Sequence, residues 1–285
     1  MKEIHIRTLT GIFFIVAVIG SIVLHPLAFF IVFSVFTYIA LAEFLKLSGL
    51  KESPAKNRLY FASGMLIYFL TALVGMGYID PRFSYFLLLI FFFIFIFELF
   101  NKQNASREKI GAWFTGFIYI AIPFGLMNSL FFTGLDRFNL HEALGFSSSS
   151  AYRIDILIGL FIIIWSSDVF AYLVGSWIGK HKLFERISPK KSWEGSIGGL
   201  VFALLAAYIL SLFFHRLTLT EWLTFAVIVV ITGALGDLIE SMLKRQAGVK
   251  DSGTLLPGHG GVLDRFDAVL FATPFVFVYV NLISS

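Results

Sequence analysis

No cysteine occurs anywhere in the 285 residues. Disulfides, thiolate metal sites and a cysteine nucleophile are therefore excluded, and cysteine usage says nothing about redox compartment. Charge is scarce as well. Asp, Glu, Lys and Arg make up 14% of the chain, against roughly 25% in a soluble globular domain. Proline is sparse, and Pro26, Pro54 and Pro81 fall at the edges of apolar runs, where a residue that ends helices and suits turns belongs. Polar links are few, and the longest carries Ser147–Ser150. No small-residue cleavage pattern follows the first apolar run, Leu9–Leu24. That run is expected to stay in place as a span, although Lys2 and Arg7 precede it as they would in a secretory signal.

What the chain has in excess is apolar surface. Hydrophobic residues make up 58% of it, with 35 Phe, a surplus that suits lipid rather than water. A transmembrane helix takes about 20 mostly apolar residues. The segments that meet this requirement are 8–24, 27–47, 59–79, 83–100, 111–132, 154–177, 196–214, 219–243 and 262–283. The expected fold class is an all-α polytopic membrane protein. Residues 1–150 are expected to form a scaffold of five spans, and residues 151–285 a catalytic region of four. Alternating the spans places every Lys and Arg except Arg82, Arg137, Arg153 and Arg216 on the side of the amino terminus. Positive residues collect in the cytoplasm. The amino terminus is thus expected inside, the carboxyl terminus outside, and the protein in the cell (inner) membrane. The basic face also attracts anionic headgroups of the bilayer. Nucleic acid is not an expected partner, because the basic residues are scattered between spans and no recognition module is visible.

The first half of the chain carries little chemistry. Glu43 and Glu98 lie near the cytoplasmic ends of spans two and four and read as interfacial carboxylates. The second half differs. Asp168 stands midway along span six, and ionisable groups at membrane depth usually face a cavity or a partner. An interhelical clamp to Ser166, Ser167 or Tyr172 is the alternative. The link HKLFERISPKKSWEG follows, with a turn expected at Ser188-Pro189. Lys190 and Lys191 then precede the entrance to span seven. Lysine is a compact charge suited to phosphate, and a helix amino terminus offers free N–H groups to the same anion. Ser192 or Ser196 is expected to cap that helix. Ser188, Lys190, Lys191, Ser192 and Glu194 are accordingly candidate substrate-binding residues, as is Asp168.

Asp237, Ser241, Lys244 and Arg245 share one face near the end of span eight. A ladder from Asp237 to cations at the rim is expected, Lys244 lying about 10 Å along the helix. A simple salt bridge at the membrane end is the bland alternative. Then comes LLPGHGGVLDRFD, residues 255–267, in which Asp264 and Asp267 stand one turn apart at the start of span nine. If the ends of spans eight and nine pack together, Asp237, Asp264 and Asp267 converge. Three unneutralised carboxylates would repel and lose hydration. A hard divalent cation relieves both problems, and Mg²⁺ takes such oxygens together with substrate phosphates. Lys244, Arg245, Lys250, Arg265 and His259 are donors for those phosphates, and Gly258, Gly260 and Gly261 let backbone approach closely. Metal and cations at a membrane surface point to phosphoryl or nucleotidyl transfer to a lipid. Taken singly, Asp264 and Asp267 also suit a helix amino terminus, the paired glycines a tight turn, and His259 an ordinary loop.

The stretch SMLKRQAGVKDSGTLLPGHGGVLDRFD, residues 241–267, resembles the signature of the CDP-diacylglycerol synthases, or phosphatidate cytidylyltransferases. The matching positions are Ser241, Lys244, Arg245, Lys250, Asp251, Gly253, Leu256, Pro257, His259, Gly260, Gly261, Asp264, Arg265 and Asp267. The segment 171–195 is similar to the same family. The resemblance implies that CTP and phosphatidate give CDP-diacylglycerol and pyrophosphate, with Mg²⁺ required. On that basis Asp237, Asp264 and Asp267 are expected metal ligands, and Asp168 lines the cavity or holds a second cation. Lys244, Arg265 and His259 join those three aspartates as expected catalytic residues. Ser241, Arg245, Lys250, Asp251, Gly260 and Gly261 are expected at the substrates. A homodimer is the assembly considered. Two rivals remain at this point: a CTP-dependent lipid kinase, and an ion-coupled transporter using Asp168 and Asp237. The Asp-Gly-x-x-Ala-Arg opening of the CDP-alcohol phosphotransferases is absent.

Overall fold

The computed structural model describes residues 2–50, 53–100, 107–131, 153–254 and 260–283. Among them, eight helices are long and apolar enough to cross a membrane. The helix α1 (Lys2–Leu24) precedes these, with the apolar stretch Leu9–Leu24. The chain is an all-α polytopic membrane protein. It divides into two compact units: Met1–Arg153 with Asp251–Arg265, and Ile154–Lys250 with Phe266–Ser285. The serine link around Ser147–Ser150 lies outside the described residues.

The first unit holds α1, α2 (Pro26–Leu47), α3 (Pro54–Gly75), α4 (Tyr85–Leu99), α5 (Arg107–Gly116) and α6 (Ile122–Phe131). Its boundaries follow local chemistry. Pro26 and Pro54 occupy first-turn positions, where their missing N–H is not needed. Ser53 caps α3 with its side chain, so that helix begins before residue 59, the expected start. A π-helical turn, Phe117–Ala121, joins α5 to α6 immediately before Pro123. Proline cannot donate to the carbonyl four residues back and its ring crowds that carbonyl, so the turn widens there. Phe29, Phe33, Phe117 and Phe124 fill the core. The Tyr68 hydroxyl donates to Phe30 O at 2.8 Å and accepts from Asn128 Nδ2 at 3.2 Å. Along α4, Leu88, Leu89, Phe92 and Phe93 stay uncovered by protein, as expected of side chains that face lipid.

The second unit holds α7 (Ile154–Ile178), α8 (Trp193–Phe213), α9 (Leu219–Gln246) and the rest of α10 (Leu263–Ile283). Between α7 and α8 runs an antiparallel ribbon, β1 (Lys182–Phe184) and β2 (Ser188–Ser192). This corrects the expected turn at Ser188-Pro189. The turn lies at 185–187, and Ser188 and Pro189 open β2. A two-stranded ribbon has only edge strands, so proline's lack of a donor is tolerated there. Ser192, rather than Ser196, caps α8 by accepting from Gly195 N at 3.2 Å.

Small residues bring backbones into contact in this unit. A side chain on Gly199 of α8 would meet the Ser167 carbonyl of α7. A side chain on Gly236 of α9 would meet the Asp267 carbonyl and Phe271 of α10. Gly236→Val is therefore expected to destabilise the protein by about 2 kcal/mol or more, read as a lower melting midpoint in detergent. An unchanged midpoint would mean that α9 and α10 do not meet at this point.

Candidate active site

Three helices and the ribbon deliver charge to one region of the second unit. Asp168 comes from α7, Lys191 from β2, Asp237 from α9 and Asp267 from α10. Asp237 has both oxygens engaged. Its Oδ2 meets Lys191 Nζ at 2.5 Å, and its Oδ1 accepts from Ser241 Oγ at 3.2 Å. Asp168 lies within the electrostatic reach of Lys191 and Asp237. Asp267 lies within that of Asp237, Asp168 and Lys244. Asp267 Oδ1 also accepts from Ala268 N at 2.7 Å.

These carboxylates are not sealed in a core. Asp168 is exposed, and Asp237 and Asp267 are half-buried. Of the expected clamp partners of Asp168, Ser166 Oγ donates instead to Phe202 O at 3.4 Å, and the Tyr172 side chain is exposed. The i,i+4 spacing of α9 gives Lys244 a nearer partner than Asp237. Its Nζ meets Oε2 of the fully buried Glu240 at 2.5 Å. Arg245 and Lys250 are exposed at and beyond the end of α9.

The ribbon is fixed from α8. Glu194 accepts from Lys180 N and His181 N, and its Oε1 lies 2.6 Å from His181 Nδ1. The substrate-facing expectation for Glu194 thus meets a carboxylate that fastens the end of α7 to the start of α8. Ser188 is half-buried, and Lys190 is exposed. Lys180, Lys182, Glu185, Trp193 and Ile197 line an open groove beside the His181–Glu194 pair.

In the first unit, Ser252 and residues 261–263 of the signature segment gather around two carboxylates. Asp264 Oδ2 accepts from Ser252 N at 2.8 Å, Ser252 Oγ at 2.7 Å and Gly261 N at 2.7 Å. Glu43, from α2, is buried. Its Oε1 accepts from Val262 N at 3.0 Å, and its Oε2 from Leu263 N at 2.9 Å and Ser252 Oγ at 3.3 Å. Gly260 has φ +81, a left-handed conformation that favours glycine. Arg265 and Asp251 are exposed. His259 and Gly258 lie outside the described residues.

Glu43 is the residue that sequence spacing missed. It stands 209 positions before Ser252, a separation no local pattern covers. The one available signal was a carboxylate in an otherwise apolar run. His181 and Glu240 were likewise not picked out, although Glu240–Lys244 has the ordinary helical ion-pair spacing.

Mg²⁺ would have to be held by oxygen donors of this kind. Among the described residues, no three His, Asp or Glu side chains form a metal-binding group. Mg²⁺, however, usually takes one or two carboxylates and completes its shell with waters and substrate phosphates. Asp168, Asp237 and Asp267 supply the carboxylates, and Asp237 already pairs with one cation, the ammonium of Lys191. The donor set fits a divalent cation bound together with a polyphosphate.

A sequence profile described as the cytidylyltransferase family matches residues 5–283. The phosphatidate cytidylyltransferase of Staphylococcus aureus (strain COL) is 32% identical over 271 residues, which cover 94% of this chain and 96% of the relative. That of Bacillus subtilis (strain 168) is 30% identical over 300 residues, covering 100% of both. A third, from Staphylococcus haemolyticus (strain JCSC1435), is 45% identical over 139 residues, covering 47% of this chain and 53% of the relative.

Proposed function

Because the chain belongs to the cytidylyltransferase family, we propose that it transfers the cytidylyl group of CTP to phosphatidate. The products are CDP-diacylglycerol and pyrophosphate. A phosphate oxygen of the lipid attacks the α-phosphorus of CTP. The bond from that phosphorus to the bridging oxygen breaks, and pyrophosphate leaves with the electron pair. The attacking phosphate is already an anion, so no protein nucleophile is needed. Catalysis then consists of positioning and charge neutralisation. The observation that carries this reading is the group Asp168, Asp237, Asp267 and Lys191, gathered from three helices and a ribbon on an accessible face.

Within the proposal, Asp237 and Asp267 hold Mg²⁺, with Asp168 beside them or toward a second cation, while Asp264, expected in sequence as a third ligand, orders the start of α10 by accepting from Ser252 and Gly261. Bound Mg²⁺ would offset charge on the triphosphate. Lys190, Lys191, Lys244, Arg245, Lys250 and Arg265 neutralise the phosphates of CTP and lipid. Gly260 and Gly261 let phosphate approach the backbone closely, and His259 donates a hydrogen bond. The site faces the cytoplasm of the cell membrane in this reading, supported by the one-sided distribution of Lys and Arg.

Product analysis tests it. The purified protein in detergent, given CTP, phosphatidate and Mg²⁺, is expected to release pyrophosphate only when all three are present. Release of CDP instead would identify a CTP-dependent lipid kinase.

A further inference from the structure

A buried carboxylate that belongs to no expected site holds the signature segment. Glu43 lies near the end of α2, and its two oxygens face three donors: Val262 N, Leu263 N and Ser252 Oγ. The first N–H groups of a helix have no partner within it. Glu43 supplies that partner to α10 from another helix, where a negative charge also suits the helix dipole. Ser252 is shared, since its Oγ reaches both Glu43 and Asp264. Glu43, Ser252 and Asp264 thus form one connected network across the segment that carries Arg265.

The neighbouring glycines have the shape this arrangement needs. A Cβ on Gly253 or on Gly261 would collide with the Glu43 carboxylate. A Cβ on Gly260 would collide with Asp264. Two of the signature's glycines are therefore accounted for by the room a glutamate on α2 occupies. Gly261, read in sequence as part of a phosphate cradle, also serves to admit this side chain.

We infer that Glu43 is a positioning residue for the reaction: it fixes Ser252, Val262 and Leu263, and with them Asp264 and Arg265, in the arrangement that turns substrate over. The inference rests on the cytidylyl-transfer reading for its kinetic consequence, but the clamp itself is read separately. Glu43 is buried against Ser252, Val262 and Leu263, so its loss acts through the geometry of the segment. A displacement of about 1 Å at a reacting group can cost a hundredfold in rate.

Glu43→Gln is the closest test. It keeps size and one acceptor, but it turns an amide NH₂ toward N–H donors, so one bond is lost. Hydrogen–deuterium exchange of the full chain in detergent is expected to show faster exchange in peptides covering 260–266, by about tenfold or more for loss of one buried bond. Peptides from α7 and α8 should stay unchanged. The same protein should lose at least about tenfold in kcat, with KM for CTP and phosphatidate within about threefold. Unchanged exchange at 260–266 overturns the clamp. Faster local exchange with wild-type kcat overturns the positioning role. If Glu43→Gln exchanges fast throughout, Ser252→Ala decides, since it removes the hydroxyl that Glu43 and Asp264 share and leaves both carboxylates in place. Local loosening with lower kcat then supports the inference, and wild-type behaviour overturns it. Absence of pyrophosphate from the wild-type protein would sink the functional reading instead, while the exchange data would still read the clamp.

Discussion

Asp237→Asn is expected to cut Mg²⁺-dependent pyrophosphate release by a hundredfold or more while leaving a folded, membrane-inserted protein. Removal of one preorganised electrostatic group from an active site typically costs about 10²–10³ in kcat. Asp237 is the most connected of the carboxylates here. It ties Lys191 to α9, hydrogen-bonds Ser241, and shares its field with Asp168 and Asp267. Asparagine has nearly the same shape and still accepts from Ser241, so packing is largely kept. What vanishes is the charge that would hold a cation and orient Lys191. Initial rates of pyrophosphate formation, with a melting curve as the folding control, measure this. A rate within threefold of wild type would remove Asp237 from the machinery.

Lys191→Met should push two observables in opposite directions. Lys191 serves in the proposal as a phosphate partner, so turnover should fall by roughly 10- to 100-fold, the range for a lost charge-assisted contact. The same ammonium neutralises Asp237 in the protein without substrates. Its removal leaves Asp168, Asp237 and Asp267 less compensated, and a divalent cation should bind them more tightly. Coulombic attraction at short range in a partly screened site supports a gain of several-fold. Mn²⁺ titration of the protein without nucleotide reads the affinity, and steady-state kinetics reads turnover. Tighter Mn²⁺ with slower turnover is the expected pair. Weaker Mn²⁺ binding would mean that Lys191 orders the carboxylates rather than competing for them.

The all-α polytopic fold was open to sequence because lipid imposes a length and composition on each span. Most helix bounds moved by a few residues, and for local reasons. Ser53 and Pro54 start α3 early, and Ser192 starts α8 at Trp193 rather than at 196. The ribbon Lys182–Phe184 with Ser188–Ser192 was illegible, since it is short, polar and contains a proline. Asp168 and Asp237 stood out because carboxylates are costly at membrane depth, and Asp267 because it stands one helical turn from Asp264. Their mutual proximity within the second unit depends on glycine contacts such as Gly236 against Asp267, which no spacing rule predicts. Glu43 was visible as a residue but not as a function. Its role depends on pairing α2 with a segment more than two hundred residues later, and on the absence of side chains at Gly253 and Gly261.

The central claim is that aspartates of α7, α9 and α10 bind a divalent cation together with a nucleotide. Its most direct test is Mn²⁺ binding, followed by electron paramagnetic resonance of the free ion, in the presence of a non-hydrolysable CTP analogue. Wild-type protein should bind Mn²⁺ in a nucleotide-dependent manner, and Asp267→Asn should weaken that binding by at least about tenfold, the effect of losing one charged ligand. Equal Mn²⁺ affinity in the two proteins would contradict the account.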